Sequence, residues 1–310
     1  LPINLKRFLI RIDIMGLTES YRRWKTILMN IKKDRKRISE IEQNLQKSLA
    51  REYSTLEANE INYKKILQKQ EAKIYSQNGE DGILMYLLSN IGVESYSILE
   101  IGIGDGSECN SRNFIENFKW NCWLIDGSNK NVSKAKDYYN NNLNAENVTT
   151  CYSWVTAENI EQTIVDLKIP INIDILSIDI DGNDYWVWKS IHNINPRIVV
   201  IEYNASFGME RSVTVPYEPN FDRYKKHKSG YYHGASLLAL TKLGKEKGYS
   251  LICCNSHGVN AFFIKDDYFE DTELKSQQVE YAFYPIKKRL QKMSLEDQFN
   301  LIDHLELVEI

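Results

Sequence analysis

The sequence predicts an α/β protein built on a mainly parallel β-sheet, and two observations carry that prediction. Short apolar runs alternate with amphipathic stretches between residues 97 and 203, as the right-handed crossovers of a parallel sheet require. The first run, Ile98-Leu-Glu-Ile-Gly-Ile-Gly-Asp-Gly106, breaks into three glycines, which is typical of a buried strand that turns sharply into a ligand-binding loop. We therefore expect a core sheet with helices on both faces.

Five strands are predicted in this region, and a polar loop, a helix and a hairpin follow them. The predicted strands cover 97–102, 121–126, 148–155, 173–179 and 196–203, with helices near 80–91, 109–118, 130–143, 157–167 and 184–192. After the loop at 206–232 come a helix at 234–247 and two strands joined by Asn255-Ser-His-Gly-Val259, which is a hairpin signal. Together these elements predict a seven-stranded sheet over residues 74–270.

Residues 1–73 form a separate N-terminal segment with a helical pattern. Nine of twelve heptad positions between residues 17 and 56 are apolar, which predicts a long helix that self-associates as a coiled coil. A long helix that packs on its own domain is the alternative. Residues 1–37 carry 11 Lys/Arg against three acidic residues, although the whole chain has a net charge of −3. This basic arm suggests an anionic partner, such as a membrane surface or a phosphorylated glycan carrier, and a merely solvated charged face is an alternative of at least equal weight.

The cysteines and the lengths of the apolar runs limit the classes of protein to which this chain can belong. The five cysteines include no metal-type pair, so we expect reduced core residues and a cytoplasmic protein, at the inner face of the membrane if the basic arm binds lipid. No run is apolar enough to span a bilayer, and no signal peptide is recognisable. No nucleic-acid partner is expected. The last segment, 271–310, reads as one or two amphipathic helices.

The polar residues at the ends of the first three strands predict a nucleoside site. The glycine loop departs from the dinucleotide fingerprint, because Ser107 stands where its third glycine is required. An acid at the end of the second strand, Asp126, can accept the cis-diol of a ribose, and Trp154 after the third strand can stack on a base. An ordinary glycine-rich turn, with Asp126 as a turn residue, is the alternative.

Strands four and five end in a second set of polar residues. Side chains alternate along a strand, so Asp179 and Asp181 should share one side of their strand, and Glu202 and Asn204 one side of theirs. The two neighbouring strands would then gather four oxygen-bearing groups at one edge of the sheet. Carboxylates so arranged repel, and they would take up a proton or hold a divalent cation, Mg²⁺ or Mn²⁺, on Asp179, Asp181 and Glu202. His233 can reach the same edge as a base. The alternatives are a helix cap at Asp184, an ion pair at Glu202 and a structural histidine.

These stretches together resemble the FkbM-like branch of class I S-adenosylmethionine (SAM) methyltransferases over residues 74 to 268. The motifs that carry the resemblance are Ser76-Gln-Asn-Gly-Glu-Asp-Gly82, Leu99-Glu-Ile-Gly-Ile-Gly-Asp-Gly106, Leu124-Ile-Asp-Gly-Ser128, Leu176-Ser-Ile-Asp-Ile-Asp-Gly-Asn-Asp-Tyr-Trp-Val-Trp188, Val200-Ile-Glu-Tyr-Asn204 and Gly258-Val-Asn-Ala-Phe-Phe263. The family's usual Asp-x-Glu-Gly at the end of strand four is here Asp179-Ile-Asp181-Gly.

The resemblance implies a Rossmann-like seven-stranded sheet that binds SAM and its product S-adenosylhomocysteine (SAH). It implies that Glu100 faces the methionine amino group. The implied cofactor-binding residues are Gln77, Glu100, Gly102, Gly104, Asp105, Gly106, Asp126, Gly127, Ser128, Trp154 and Asp179. The expected catalytic residues are Asp179, Asp181, Glu202, Asn204 and His233.

The resemblance also implies a reaction, O-methylation of a sugar hydroxyl in a bacterial surface polysaccharide, glycolipid or sugar nucleotide. The loop 206–232 has the composition of a lid, and its run Lys225-Lys-His-Lys228 could attract a phosphorylated acceptor. Two alternatives stay open. One is N-methylation of an amino sugar or a small phosphorylated amine, and the other is a coiled-coil scaffold that carries a degenerate methyltransferase module.

Deleting residues 1–56 tests the heptad prediction. If these residues form a coiled coil, the truncated protein should have a smaller mass in solution, because its apolar seam is removed, and it should bind SAM as the full chain does. Light scattering after size exclusion measures the mass. The same oligomer with and without the segment would favour a helix packed on its own domain.

Overall fold

The computed structural model describes residues 60–143, 145–268 and 272–310, and the predicted heptad helix and basic arm lie outside these ranges. Its central element is one seven-stranded sheet. The strands are β1 (Ser97–Ile101), β2 (Asn121–Asp126), β3 (Val148–Tyr152), β4 (Asn172–Ile178), β5 (Asn195–Glu202), β7 (Tyr249–Cys254) and β8 (Asn260–Lys265), and a separate pair is formed by β6 (Val213–Thr214) and β9 (Val308–Glu309).

The strand order of the large sheet is β3-β2-β1-β4-β5-β8-β7. The first five strands are parallel, and β8 is antiparallel to both of its neighbours, β5 and β7. The chain therefore reverses its direction of winding between β1 and β4, where open α/β sheets bind their ligands. This is the Rossmann-like class I methyltransferase sheet that the sequence predicts, including the terminal hairpin.

Helices cover both faces of the sheet. They are α1 (Glu60–Lys69), α2 (Glu80–Ile91), α3 (Asn129–Lys136), α4 (Ile160–Asp166), α5 (Asp184–Ser190), α6 (Arg223–Lys226), α7 (Leu237–Glu246), α8 (Val279–Ala282), α9 (Lys287–Leu290) and α10 (Leu295–Asn300), with π-helical turns at Phe114–Phe118 and Asp137–Asn142 and 3₁₀ turns at Ala205–Phe207 and Asp266–Tyr268. Within the described ranges, no helix is both long and apolar enough to cross a membrane.

Two apolar cores fill the spaces between the sheet and its helices. Successive residues of β1 alternate between them, so Ile98 packs with the layer of α2 and Leu99 packs with the layer of α5 and α7. A third, small core joins the loop after β5 to the end of the chain through Phe207, Phe221 and Ile302. All five cysteines are unpaired, as expected.

One predicted helix is shorter than expected, and another begins at an unusual residue. The helix predicted at 109–118 covers only 112–118, with a π-helical turn at Phe114–Phe118, and the amides of Asn110 and Ser111 just before it bind the Glu100 carboxylate. The residue before α2 is a glycine. Gly79 occupies the cap position with φ +92°, while the Ser76 hydroxyl accepts the Asp81 amide from outside the helix.

The C-terminal segment corrects the prediction of one or two amphipathic helices. It consists of three short helices and an edge strand, and Pro285 prevents α8 from continuing into α9. The segment packs on the sheet domain: the Tyr203 hydroxyl donates to the Tyr284 carbonyl at 2.6 Å, and the Ser206 hydroxyl bonds Gln298 Oε1 at 2.8 Å. Strand β9 then pairs with β6 beside the long loop.

The closest approach of backbone at the functional edge is at Gly102. Its amide donates to the Ile125 carbonyl at 2.8 Å, and the Asp179 amide donates to Ile101 at 3.0 Å. A Cβ atom on Gly102 would lie 1.7 Å from the Asp179 carbonyl oxygen, whereas a Cβ atom on Gly104 would meet nothing within 4 Å. The first glycine of the loop is therefore required by packing, and the second leaves open space for a ligand.

The substitution Gly102→Ala should lower the free energy of unfolding by about 2 to 5 kcal/mol, because the new Cβ overlaps backbone and φ is positive. Gly104→Ala is the matched control and should cost only the positive φ, about 1 to 2 kcal/mol. Urea denaturation measures both. Equal losses would mean that the contact with Asp179 does not constrain the loop.

Candidate cofactor and catalytic site

The glycine loop is held against the sheet by Glu100. Its two carboxylate oxygens accept the backbone amides of Asn110 and Ser111 at 2.8 and 2.7 Å, and the side chain is 4% exposed. Burial raises the pKa of Glu100, against hydrogen bonds from the Ser111 side chain and the two amides, so about one acceptor position is left. The observed role of Glu100 is therefore to hold the backbone that follows the glycine loop. Its contact with a cofactor amino group stays a prediction.

Asp126 plays a similar part at the end of β2. Its Oδ2 accepts the Gly104 amide at 2.9 Å, and its Oδ1 accepts the Ser128 amide at 2.8 Å and the Asn131 side-chain amide at 3.2 Å. A carboxylate has about four acceptor positions, and three are taken. Asp126 is therefore both the turn residue and the diol candidate, with room for one strong ribose hydrogen bond rather than the two that the sequence suggests.

Two cavities lie side by side along this edge of the sheet. Gly102, Gly104 and Asp179 border both of them. The larger has a volume of about 500 Å³ and is lined by residues that include Asp126, Gly127, Ser128, Trp154, Asp181 and Arg223. The smaller has a volume of about 240 Å³ and is lined by residues that include Gln77, Glu80, Glu100, Asp105, Asn110 and Asn260. The cavities form one trough that bends around the glycine loop.

Most of the predicted cofactor residues line this trough, and Gly106 does not. The Gly106 carbonyl accepts the Tyr139 hydroxyl, and a Cβ there would lie 3.0 Å from the Tyr139 ring. Its positive φ and its packing on that ring explain the glycine without a ligand. Asp105 borders the smaller cavity, but its carboxylate binds Ser107 and Lys134, and these hydrogen bonds lower its pKa.

The loop after β5 covers the larger cavity as the predicted lid. Trp154 lies over Gly127, where a Cβ would be 2.7 Å from the ring, and the indole Nε1 donates to the Pro219 carbonyl at 2.7 Å. The Asn183 side-chain amide donates to the Glu218 carbonyl at 2.8 Å. Phe221 packs on Gly182 beside these contacts. The Trp186 indole also donates to the Val215 carbonyl, and Val215 and Phe221 belong to the third core, so the loop is held firmly beside the trough.

Beyond Asp179 the ends of β4 and β5 bring carboxyl groups together. Single oxygen atoms of Asp179, Asp184 and Glu202 lie within 4.8 Å of one another. Ligand atoms of Asp181, Glu202 and His233 form a second such trio. The set predicted to hold a metal, Asp179 with Asp181 and Glu202, is thus divided between two groups that share Glu202. Asp184 is the first residue of α5 and not its cap, since the cap position is Asn183, and its carboxylate accepts the Ile180 and Gly182 amides of the preceding loop.

The charges of this cluster depend on burial. Burial, followed by the charges of Glu202 and Asp184, raises the pKa of Asp179 well above its usual range. Burial raises the pKa of Asp184 to about 7 and that of Glu202 to about 8. Burial and two nearby guanidinium groups lower the pKa of His233, so its ring is neutral. The carboxyl groups therefore keep protons near neutral pH.

Glu202 and His233 form an incompletely satisfied buried pair. Glu202 Oε2 lies 3.5 Å from His233 Nδ1, and the two side chains are 11% and 1% exposed. In the described part of the chain, neither that oxygen nor either imidazole nitrogen has a hydrogen-bond partner. Buried polar atoms without partners are costly and are common at sites that bind ligands or move protons. The pair is the strongest candidate for a proton acceptor at this edge.

The predicted roles of Asn204 and of the lysine run do not match the hydrogen bonds and ion pairs that these residues form. Asn204 is fully buried, its amide group donates to the Tyr231 and His233 carbonyls, and its Oδ1 accepts the Ser206 amide. It therefore shapes the turn that carries His233 and has no catalytic contact to offer. In the lysine run, Lys225 and Lys226 pair with Asp222 and Glu218 and line neither cavity.

The structure adds two arginines that the sequence reading did not select. Arg223 forms an ion pair with Asp181 and lines the larger cavity. Arg223 lies two residues before the lysine run, so the basic composition of the predicted lid could have pointed to it. Arg289 comes from the C-terminal segment and donates to the Ser206 hydroxyl at 2.9 Å. Nothing in its local sequence pointed to the site.

Comparisons with known proteins agree in fold. No family model and no curated protein matches the sequence. Among solved structures, the chain is similar to an O-methyltransferase from Bacillus cereus in complex with SAH (15% identity, 68% of this chain and 91% of that chain, TM-score 0.39). It is also similar to the SAH-bound N-terminal domain of EvdMO1 (10% identity, 67% of this chain and 80% of that chain, TM-score 0.35). A third similar structure is a SAM-dependent methyltransferase from Aquifex aeolicus (13% identity, 67% of this chain and 100% of that chain, TM-score 0.34). At these values the fold assignment rests on the strand order.

Asp126→Ala should weaken SAM binding by about 1.5 to 3 kcal/mol, roughly 10- to 150-fold, because one charge-assisted hydrogen bond to ribose is lost. Calorimetric titration measures the affinity. Asp166→Ala removes an exposed carboxylate outside both cavities and should leave the affinity unchanged. Equal SAM affinity in Asp126→Ala and the native protein would remove Asp126 from the cofactor site.

Proposed function

We propose that this chain is a SAM-dependent methyltransferase that methylates a hydroxyl group. The observation that carries the proposal is the position of Asp179. It borders both cavities at the bend of the trough, and it stands next to the buried Glu202. A cofactor that fills both cavities would have its middle at Asp179, beside groups able to take a proton.

In this proposal each of the two cavities of the trough takes one end of SAM. The larger cavity offers Asp126 for the ribose and the Trp154 ring for the adenine. The smaller cavity offers Glu100 for the positively charged amino group of the methionine end. Gly104, where a Cβ would fill open space, lets the cofactor lie directly on the loop between them. SAM supplies an activated methyl group on a sulfonium.

The residues of this chain must then align the acceptor and remove its proton. Glu202 is partly accessible, and His233 lies directly beside it. In its ionised form Glu202 can take the hydroxyl proton, and the neutral imidazole can share it. A divalent cation on Glu202 and its two neighbours, Asp181 and His233, is the other way to lower the pKa of the hydroxyl. The two guanidinium groups near this pair already supply positive charge, so we favour the base.

A carboxylate that can take a proton favours O-methylation over N-methylation, because a neutral hydroxyl is a poor nucleophile until its proton is removed, whereas a neutral amine attacks before it loses a proton. We propose as acceptor a sugar hydroxyl of a bacterial surface polysaccharide, glycolipid or sugar nucleotide, as the FkbM-like motifs suggest. Self-association through residues 17–56 and contact of the basic arm with anionic lipid remain part of this proposal.

The first experiment is calorimetric titration of SAM, SAH and NAD against the purified protein. Binding of SAM and SAH without NAD is expected, and no SAM binding would favour a scaffold with a degenerate module. A panel of sugars, sugar nucleotides and amino sugars is then incubated with SAM labelled with ¹³C in its methyl group. The chemical shift of the transferred carbon separates an ether from an N-methyl product.

With an acceptor in hand, the pH profile tests the base. A base acts in its deprotonated form, and the pKa of Glu202 is about 8, so kcat/KM should rise with pH and level off above about 8. Glu202→Gln should lower kcat by roughly 10²- to 10⁴-fold while SAH affinity stays unchanged. Glu210→Gln, an exposed position, is the control. Loss of activity in EDTA that Mn²⁺ restores would replace the base by a metal.

A further inference from the structure

Arg289 is a partly buried cation without an acidic partner. Its Nη1 donates to the Ser206 hydroxyl at 2.9 Å, and its guanidinium lies 4.6 Å from the centre of the Tyr231 ring. Among the residues that the structure describes, no carboxylate forms an ion pair with it, and its Nε and Nη2 have no hydrogen-bond partner. Neither nitrogen is sealed from solvent. Arg289 therefore holds free donors toward an accessible space.

Arg223 approaches the same space from the lid. Its Nε donates to the Gly230 carbonyl at 3.0 Å, and its Nη1 pairs with Asp181, which is 61% exposed. The positive charge of Arg223, together with burial, lowers the pKa of Arg289. Both guanidinium groups also act on Glu202 and His233. Two arginines from distant parts of the chain thus converge beside the proposed proton acceptor.

This arrangement is costly without a ligand. Burying a cation that lacks an anionic partner is unfavourable, and a second cation nearby adds repulsion. Asp181 neutralises only one of the two charges, and the Glu202 carboxyl, with a pKa of about 8, is largely protonated at pH 7. An anion bound between the two guanidinium groups would relieve both costs.

We propose that Arg289 and Arg223 form a subsite for an oxyanion on the acceptor, either a phosphate ester or a carboxylate. This inference rests on the proposed function, since it places the anion on the molecule that is methylated. The planar guanidinium binds two oxygens of such a group at once, which a lysine cannot do. The acceptor is therefore an acidic molecule, and the arginine pair rather than the lysine run recognises it.

Calorimetric titration with SAH present tests the subsite. The probes are glucose 6-phosphate, glucuronate and neutral glucose, and the two acidic sugars separate a phosphate from a carboxylate. At least one acidic sugar should bind roughly tenfold or more tightly than glucose, as one charge-assisted pair predicts. Equal affinity for all three, or no binding at millimolar concentration, would overturn the subsite. If SAH itself fails to bind, the proposed function fails instead.

Variants assign the effect to the guanidinium group. Arg289→Gln should lose tenfold or more in affinity for the acidic sugar while SAH binding is kept, and Arg289→Lys should recover only part of it. Ser206→Ala removes the structural hydrogen bond of Arg289 but keeps both charges, so it should retain the preference. Arg211→Gln is the control, because Arg211 already pairs with Glu296. An acidic sugar that binds Arg289→Gln as tightly as the native protein would refute the proposal, and should that variant not fold, the comparison with glucose still decides.

Discussion

The confinement of four carboxyl groups at the ends of β4 and β5 is the constraint on which the site depends. Parallel pairing of Ile178 with Ile201 places the next residues, Asp179 and Glu202, side by side whatever their charge. Asp181 and Asp184 come shortly after Asp179 in the same loop. Asp181 reaches solvent, whereas Asp179, Asp184 and Glu202 are poorly hydrated, and burial therefore raises the pKa values of these three.

In the proposed function, that charge balance would link the cofactor to the chemistry. A positive charge brought into the trough lowers the pKa of neighbouring carboxyl groups, because it stabilises their ionised form. A sulfonium bound next to Asp179 would therefore increase the ionised fraction of the cluster. The neutral His233, which has no other partner, gives Glu202 a neighbour able to share the proton.

The sheet supplies the fixed part of the site, and two later segments complete it. Glu100, Asp126 and Gly102 hold the loop to the sheet through backbone contacts. The loop after β5 is tied to this part through the Trp154 indole bond, the ion pair of Arg223 with Asp181 and the buried Phe221. The C-terminal segment contacts the loop after β5 and carries Arg289, so in its packing it belongs to the sheet domain.

The sequence by itself determined the strands, their polar ends and the choice of cofactor loop. Apolar runs and glycines are local signals, and in a parallel sheet they place Asp126, Asp179 and Glu202 at one edge without further information. The observed strands agree with the predicted ones to within a few residues. The helix expected at 109–118 begins only at residue 112, and a tertiary contact, the Glu100 carboxylate, binds the two amides just before it.

Only the tertiary structure decided which polar groups are used and which are free. Asn204 was predicted to be catalytic, but neighbouring carbonyls accept from its amide group, while Arg289, which the sequence analysis did not select, lies beside Ser206 with donors that are not used. A local pattern cannot distinguish these cases, because the partners lie between 27 and 85 residues away along the chain. Burial and hydrogen-bond partners of that kind exist only once the chain has folded, and they set the pKa values of the cluster.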